Sequence, residues 1–353
     1  MKKIAIVGSH GLYAQYGGWD QLVNNLAEKK SNNIEYLIFN SRDTPISENH
    51  IPDVHVYRSF LKASGFEGLF FDFYSLLSSY FKVDTILLLG VQGLPIIPFL
   101  LMFRKNTIIS NTGGIEWERT KFGYFSKLYL RLCFRLSLKY SDQIIIDNKY
   151  FKKYIPNNSA YTSKLQIIPY GGIIDTSLQS VIEYKNKYPF LDKEYFLSVS
   201  RSIEDNMVKE LCNTFTKSSK ILVIVSNLSS SMYGRNILKK YSTFNNIVLI
   251  DGLYNKPILD LIRRNCLAYI HTHSTCGTAP SLVEMIITKK PILSLDNPQN
   301  RFTLNNEGYF FNTFSRLLRF IGSQSSFDSF TVSTSTRSLY SWEKAVTAYE
   351  SLY

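Results

Sequence analysis

The sequence predicts an α/β protein of two doubly wound domains, each with a parallel sheet covered by helices on both faces. Three observations carry this. Short apolar runs alternate with amphipathic stretches along most of the chain. The alternation stops at a polar segment, residues 184–194, and then starts again. Small-residue loops follow the apolar runs at the places where open parallel sheets receive ligands.

The elements follow in order. Apolar runs at residues 4–7, 36–39, 85–89, 107–110, 143–146 and 165–168 read as buried parallel strands. Residues 19–30, 68–81 and 124–140 read as helices between them. The second series of strands is 195–200, 221–225, 247–250, 267–270 and 291–294. Residues 184–194 read as a linker, 322–338 as a Ser/Thr-rich loop, and 340–353 as an amphipathic closing helix. The domains are therefore set at residues 1–180 and 181–335, with residues 336–353 crossing back to the first. The stretch 86–103 is apolar, but Gln92 and its Gly and Pro residues make it a strand, turn and helix; no membrane span is expected.

The 353 residues are 45% hydrophobic and 19% charged, which suits a globular chain rather than a disordered one. The four cysteines form no C-x-x-C pair and suit a reducing, cytoplasmic compartment. The net charge of +12 points to anionic partners. Residues 119–141 hold six basic residues and no acid, and Lys127, Arg131, Arg135 and Lys139 recur every four residues beside leucines and aromatics. This reads as a helix drawn to an anionic membrane surface, or as a core helix with a solvated basic face. No nucleic-acid motif accompanies the charge, and nucleic acid is not an expected partner.

Three segments carry candidate chemistry. After the first strand comes Gly8-Ser9-His10-Gly11, then Gly17-Gly18-Trp19. Such a loop lets backbone amides approach an anion, or is a tight turn needing positive φ. It lacks the G-x-G-x-x-G spacing and the acid of a dinucleotide site, which disfavours a nicotinamide dehydrogenase. After a strand at 267–270 comes His271-Thr272-His273-Ser274-Thr275-Cys276-Gly277-Thr278-Ala279-Pro280-Ser281-Leu282-Val283-Glu284. Thr278 is a candidate N-cap and Pro280 fits the first helical turn. The amides around Gly277, Thr278, Ala279, Pro280 and Ser281 would hold a diphosphate, and Glu284, one turn in, would accept ribose hydroxyls. Arg201, after the first strand of the second domain, offers a bidentate phosphate contact or is a surface arginine. His271 and His273 alternate on the strand end, but a metal would need a third ligand, and none is expected. The third segment is Asn111-Thr112-Gly113-Gly114-Ile115-Glu116-Trp117-Glu118-Arg119. Here Glu116, Trp117 and Arg119 could bind a sugar by hydrogen bonds and stacking, or Trp117 could pack into the core.

Together these segments resemble the bacterial capsular and cell-wall polysaccharide rhamnosyltransferases, retaining glycosyltransferases of GT-B fold. Residues 8–19 match G-x-x-G-I-P-A-x-Y-G-G-F, residues 111–121 match N-x-D-G-x-E-W-x-R-x-K, and residues 271–284 match H-G-H-S-V-G-G-T-N-P-S-L-L-E. Asp296-Asn297-Pro298-Gln299-Asn300-Arg301 matches D-x-x-F-N-R-E, and Trp342-Glu343-Lys344 also fits. The chain departs from the pattern at Gly113 (Asp in the family), Cys276 (Gly) and Ala279 (Asn).

The resemblance implies two Rossmann-like domains facing a central cleft and retention of anomeric configuration. The first domain would receive a lipid-linked saccharide acceptor near Glu116, Trp117 and Arg119. The second would bind the nucleotide-sugar donor through Arg201, the 277–281 loop and Glu284, with Gly17 and Gly18 closing on it. Glu116, Arg201 and Glu284 are the expected catalytic residues. No cofactor or metal is expected, and the protein would work at the inner face of the cell membrane. Rhamnose from dTDP-rhamnose leads for the donor. UDP-hexose or UDP-hexosamine transfer, a sugar-nucleotide epimerase and a non-catalytic membrane-binding relative are the alternatives.

Overall fold

The structure is a computed structural model that describes residues 1–14, 17–46, 49–119, 122–178 and 180–353. Gln15, Tyr16, Thr120 and Lys121, parts of two of the matched blocks, lie outside the described residues. The chain divides into two compact units, Met1–Tyr170 with Trp342–Tyr353, and Gly171–Ser341. The divisions thus fall after residues 170 and 341, where the sequence reading put them after 180 and 335.

The first unit holds strands β1 (Lys2–Val7), β2 (Ile34–Asn40), β3 (Val54–Arg58), β4 (Thr85–Leu89), β5 (Thr107–Asn111), β6 (Gln143–Ile146) and β7 (Leu165–Ile167). They form one parallel sheet in the order β3-β2-β1-β4-β5-β6-β7. Helices α1 (Gly18–Glu28), α2 (Glu67–Ser79), α3 (Ile97–Leu100), α4 (Tyr124–Tyr140) and α5 (Ser159–Thr162) connect them. Successive strand residues point to opposite faces. Ala5, Val7, Ile86 and Leu88 join a core with α2, α3 and α4, whereas Ile4, Ile6, Leu87 and Leu89 join one with α1. Both faces are covered, which is why these strands read as unbroken apolar runs.

The second unit repeats the plan with β8 (Tyr195–Val199), β9 (Ile221–Ser226), β10 (Ile247–Asp251), β11 (Ala268–His271), β12 (Ile292–Leu295) and β13 (Tyr309–Phe311). Their parallel order is β10-β9-β8-β11-β12-β13. Its helices are α6 (Val208–Phe215), α7 (Met232–Tyr241), α8 (Lys256–Asn265), α9 (Pro280–Thr288), α10 (Pro298–Thr303), α11 (Phe314–Ser323) and α12 (Thr334–Arg337). The last helix, α13 (Trp342–Glu350), packs Trp342, Ala345, Val346 and Tyr349 into the first unit's core beside Leu22 and Val23. Each such large side chain taken from water is worth roughly 1.5–3 kcal/mol.

Two segments correct the sequence reading. Residues 184–194 are no free linker, because Tyr188, Phe190 and Leu191 sit in the second unit's core. Residues 322–338 are likewise held, with Phe327 and Val332 buried. The stretch 86–103 is β4, a turn and α3, and among the described residues no helix is long and apolar enough to cross a membrane.

Candidate functional site

In an open parallel sheet, ligands meet the carboxyl ends of strands where the strand order reverses. The reversals lie between β1 and β4 in the first unit and between β8 and β11 in the second. Residues 8–19 follow β1, Arg201 follows β8, and residues 272–279 follow β11. Two of the three sequence-predicted segments, and Arg201, therefore stand at switch points.

In the second unit, the β11–α9 loop is fastened by its hydroxyls. Thr272 Oγ1 donates to the Asn206 carbonyl at 2.5 Å, and the Ser274 amide and hydroxyl both donate to the Asp205 carbonyl at 2.9 Å. Asn206 Nδ2 donates to the Arg201 carbonyl at 2.8 Å, so the Arg201 segment is tied to the same loop. The fourth matched block arrives from the other side: Asn297 Nδ2 and Asn300 Nδ2 donate to the His273 carbonyl at 2.9 and 3.2 Å. Asp296 and Arg301 of that block pair with each other at 2.5 and 2.8 Å.

Helix α9 corrects the expected cap. Its N-cap is Ala279, not Thr278, and no side chain caps the helix. Thr278 and Ala279 are buried, while Gly277, Pro280 and Ser281 are half-buried. The first turn carries no acid. The partial positive charge of a helix start is therefore not offset locally by a side chain.

Glu284 stands one turn into α9, buried, and its carboxylate Oε2 pairs with Arg263 Nη2. Arg263 Nη1 lies 2.6 Å from Asp260 Oδ1, and Lys256 Nζ lies 2.7 Å from Asp260 Oδ2 and 3.9 Å from Glu284 Oε1. Burial pulls the Arg263 pKa down, and the charges of Glu284 and Asp260 more than reverse this, so it lies above its ordinary value. Lys256, Asp260 and Arg263 were missed in the sequence. Their spacing on α8 puts all three on one helix face, and that periodicity was the available signal. His271 closes β11 fully buried, and desolvation lowers its pKa to about 3, which keeps the imidazole neutral.

In the first unit, glycine is required at two positions of the first loop. Gly8 and Gly11 have φ of +99° and +105°, and a Cβ would lie 2.1 Å from the Leu89 carbonyl oxygen or from Asn40 Oδ1. Gly17 has an extended backbone and open space around it. Its amide donates to Asp20 Oδ2 at 3.2 Å, and the His10 amide donates to Asp20 Oδ1 at 3.0 Å. The Gly17 amide, expected on the donor phosphate, thus meets the protein's own buried carboxylate. Gly18 opens α1 directly after it.

The middle segment follows β5. Asn111 Oδ1 accepts from the Gly113 amide at 2.8 Å, and its Nδ2 donates to Tyr349 of α13 at 2.5 Å. Gly113 has φ +59°, and a Cβ there would lie 2.9 Å from the Trp19 ring. The Trp19 ring thus stands where a side chain at 113 would go. Glu116 Oε1 pairs with Arg119 Nη2 at 2.9 Å. Trp117 is corrected to a core residue, packed edge-on against Phe134 and Tyr154 at 4.9 and 6.1 Å between ring centres. At 8% exposure it has little surface left for a sugar to stack on.

Residues 89–173 match a family described as Domain of unknown function (DUF1972), a span that includes the middle segment. No curated protein matches the chain. Among solved structures, sucrose-phosphate synthase from Thermosynechococcus elongatus is similar at TM-score 0.79 and 14% identity, covering 100% of this chain and 98% of that one. Anabaena HepE in complex with UDP and glucose is similar at TM-score 0.74 and 11% identity, covering 99% and 98%. An alpha,alpha-trehalose-phosphate synthase (UDP-forming) from Burkholderia xenovorans, in complex with glucose-6-phosphate, reaches TM-score 0.71 at 9% identity, covering 100% of both chains. With two parallel sheets of this order, the fold is GT-B.

Proposed function

We propose that this chain is a nucleotide-sugar-dependent glycosyltransferase whose donor binds at the β11–α9 loop. The observation that carries the reading is a helix start at a switch point with no side-chain cap and no acid in its first turn, backed by a buried Glu284–Arg263 pair. Amides around residues 277–281, with Arg201, hold the diphosphate and stabilise the charge that grows as the anomeric C–O bond breaks. Arg263 orients Glu284, whose remaining lone pairs accept from the ribose. No metal is needed for this charge stabilisation. Glu116 and Arg119 face the acceptor, and transfer retains the anomeric configuration. The donor we favour is dTDP-rhamnose, by resemblance. A UDP-sugar is the second reading, favoured by the UDP-bound HepE and the UDP-forming synthase.

The acceptor is a lipid-linked glycan, met at the inner face of an anionic membrane. Support comes from the first unit. Phe70 and Leu77 of α2, Phe99 and Phe103 at α3, and Phe125 and Leu128 of α4 are all exposed. These three helices share one sheet face, since their inner sides join one core. Exposed apolar side chains in such number beside the basic residues of α4 suit an interface with anionic lipid.

One experiment tests both parts: thermal stabilisation by dTDP, UDP and GDP, run with and without anionic vesicles. A native-state ligand raises Tm. A shift with dTDP alone supports rhamnosyl transfer, and a shift with UDP moves the assignment to a hexosyl donor. No shift with any nucleotide overturns the reading, and protein that stays in the supernatant when vesicles are pelleted overturns the membrane surface.

A further inference from the structure

The β11–α9 loop also carries a cluster that nucleotide binding does not use. His271 is 1% exposed, and neither of its ring nitrogens makes a hydrogen bond of normal geometry, although the Asn300 side chain lies against the ring. Buried polar atoms left without such a bond are rare in native proteins and point to a missing ion or ligand. The rings of His271 and His273 lie 4.2 Å apart between centres. The ligand atoms of His271, His273 and Cys276 lie within 4.8 Å of one another, the one such metal-competent group among the described residues. The third ligand that two histidines alone could not supply is thus brought in by the loop.

We infer that His271, His273 and Cys276 bind one soft divalent cation of the zinc class. Two imidazoles and a thiolate are the donors such a cation takes, with a fourth position left for water or an incoming ligand. Magnesium prefers six oxygen ligands and is not served by this set. The site is therefore separate from any hard cation that accompanies a nucleotide. On binding, the Cys276 S–H proton passes to solvent and a metal–sulfur bond forms; no oxidant or reductant takes part. Tetrahedral zinc holds ligand atoms roughly 3.3–3.7 Å apart, so the site closes by a shift of about 1 Å. Half-buried Cys276 can make that movement by side-chain rotation. The backbone of the site is held by Asn300, whose Nδ2 donates to the carbonyls of His273 and Leu295 at 3.2 and 2.9 Å, and whose Oδ1 lies 3.9 Å from Cys276 Sγ. The resembling family has glycine at position 276, which offers no ligand atom, so the site belongs to this chain's own sequence.

The test is cobalt(II) titration of the full chain after chelation, with no nucleotide present, so that its outcome is independent of the glycosyl-transfer reading. One equivalent of cobalt should give tetrahedral d–d absorption with a thiolate-to-cobalt charge-transfer band, and zinc should abolish both. Cys276→Gly, which restores the family residue, should lose the charge-transfer band while circular dichroism stays native. His273→Gln should weaken cobalt binding at least tenfold. Absence of a tetrahedral cobalt spectrum in the wild-type chain overturns the inference. So does a charge-transfer band that survives in Cys276→Gly, because the thiolate would then be Cys133, Cys212 or Cys266.

Discussion

The loops after β1 and β11 each border the switch point of their own sheet, β1 from the side that β8 takes in the second unit and β11 from the side that β4 takes in the first, and each leads into a helix, yet they treat the helix start in opposite ways. In the first, buried Asp20 takes the amides of His10 and Gly17 on its two oxygens. Asn40 Oδ1 takes the Leu12 amide at 2.8 Å and Asn24 Oδ1 the Tyr13 amide at 2.7 Å. In the second, the helix start has no side-chain cap, and Glu284, one turn into the helix, is paired with Arg263 and Lys256. The charges around them differ too. Near His10 stand the acids Asp43, held low chiefly by the Ser41 hydroxyl, and Asp72, pushed up by burial, whereas bases surround Glu284. Topology thus supplies the position, and the local cap decides whether a helix start remains available to an anion.

Removing the base that restrains Glu284 should break this contrast with the largest effect. Arg263→Met leaves Asp260 and Glu284 buried with half-exposed Lys256 as the remaining base and the Asp175 amide on Asp260. Stripping one partner from a buried ionic network costs about 3–5 kcal/mol. Denaturant unfolding should show a loss of that size, against less than about 1 kcal/mol for Lys256→Met. A loss below about 1 kcal/mol for Arg263→Met would mean that water reaches the network.

The second prediction adds to α9 what α1 already has. Ser281→Asp puts a carboxylate in the first turn, where a charge of that sign stabilises a helix by roughly 0.3–1 kcal/mol. Tm should therefore hold or rise slightly. Nucleoside diphosphate affinity should fall at least tenfold, about 1.4 kcal/mol. In the first loop, Asp20→Asn should leave that affinity unchanged. Undiminished nucleotide binding by Ser281→Asp would remove the diphosphate from this helix start.

The same contrast marks what the sequence could disclose. Central strands were legible because burial on both faces makes them unbroken apolar runs. The edge strands β3 and β13 were not. Four of the five β3 residues are exposed, and β13 has three residues, so neither gives a periodic signal. The β11–α9 segment stood out as a candidate ligand loop because its residue types carry the chemistry locally. Its partners were not, since Arg263 and Asp260 come from α8 and sequence proximity says nothing of that packing. Trp117 misled because an aromatic beside charges reads alike whether its ring faces solvent or, as here, Phe134. Gly113 gained its explanation only when Trp19, far off in sequence, proved to stand against it.

The smallest effect concerns the acids of the first switch point and is a pH dependence. Burial raises the Asp72 carboxyl from its ordinary value near 3.8 to about 7, with His10 opposing the rise. Near pH 5 the folded state therefore keeps a proton that the unfolded chain has released. The stability this carries is complete below pH 3.8 and is lost as pH rises to about 7. Asp72→Asn has no such proton to lose. Its Tm relative to wild type should stay level up to about pH 4 and climb by roughly one to three degrees by pH 8, because the side chain is only half-buried. A Tm difference that is flat from pH 4 to pH 8 would mean that Asp72 is ionised in the folded chain throughout. The first switch point would then carry one more negative charge, and its contrast with the basic surroundings of Glu284 would be sharper.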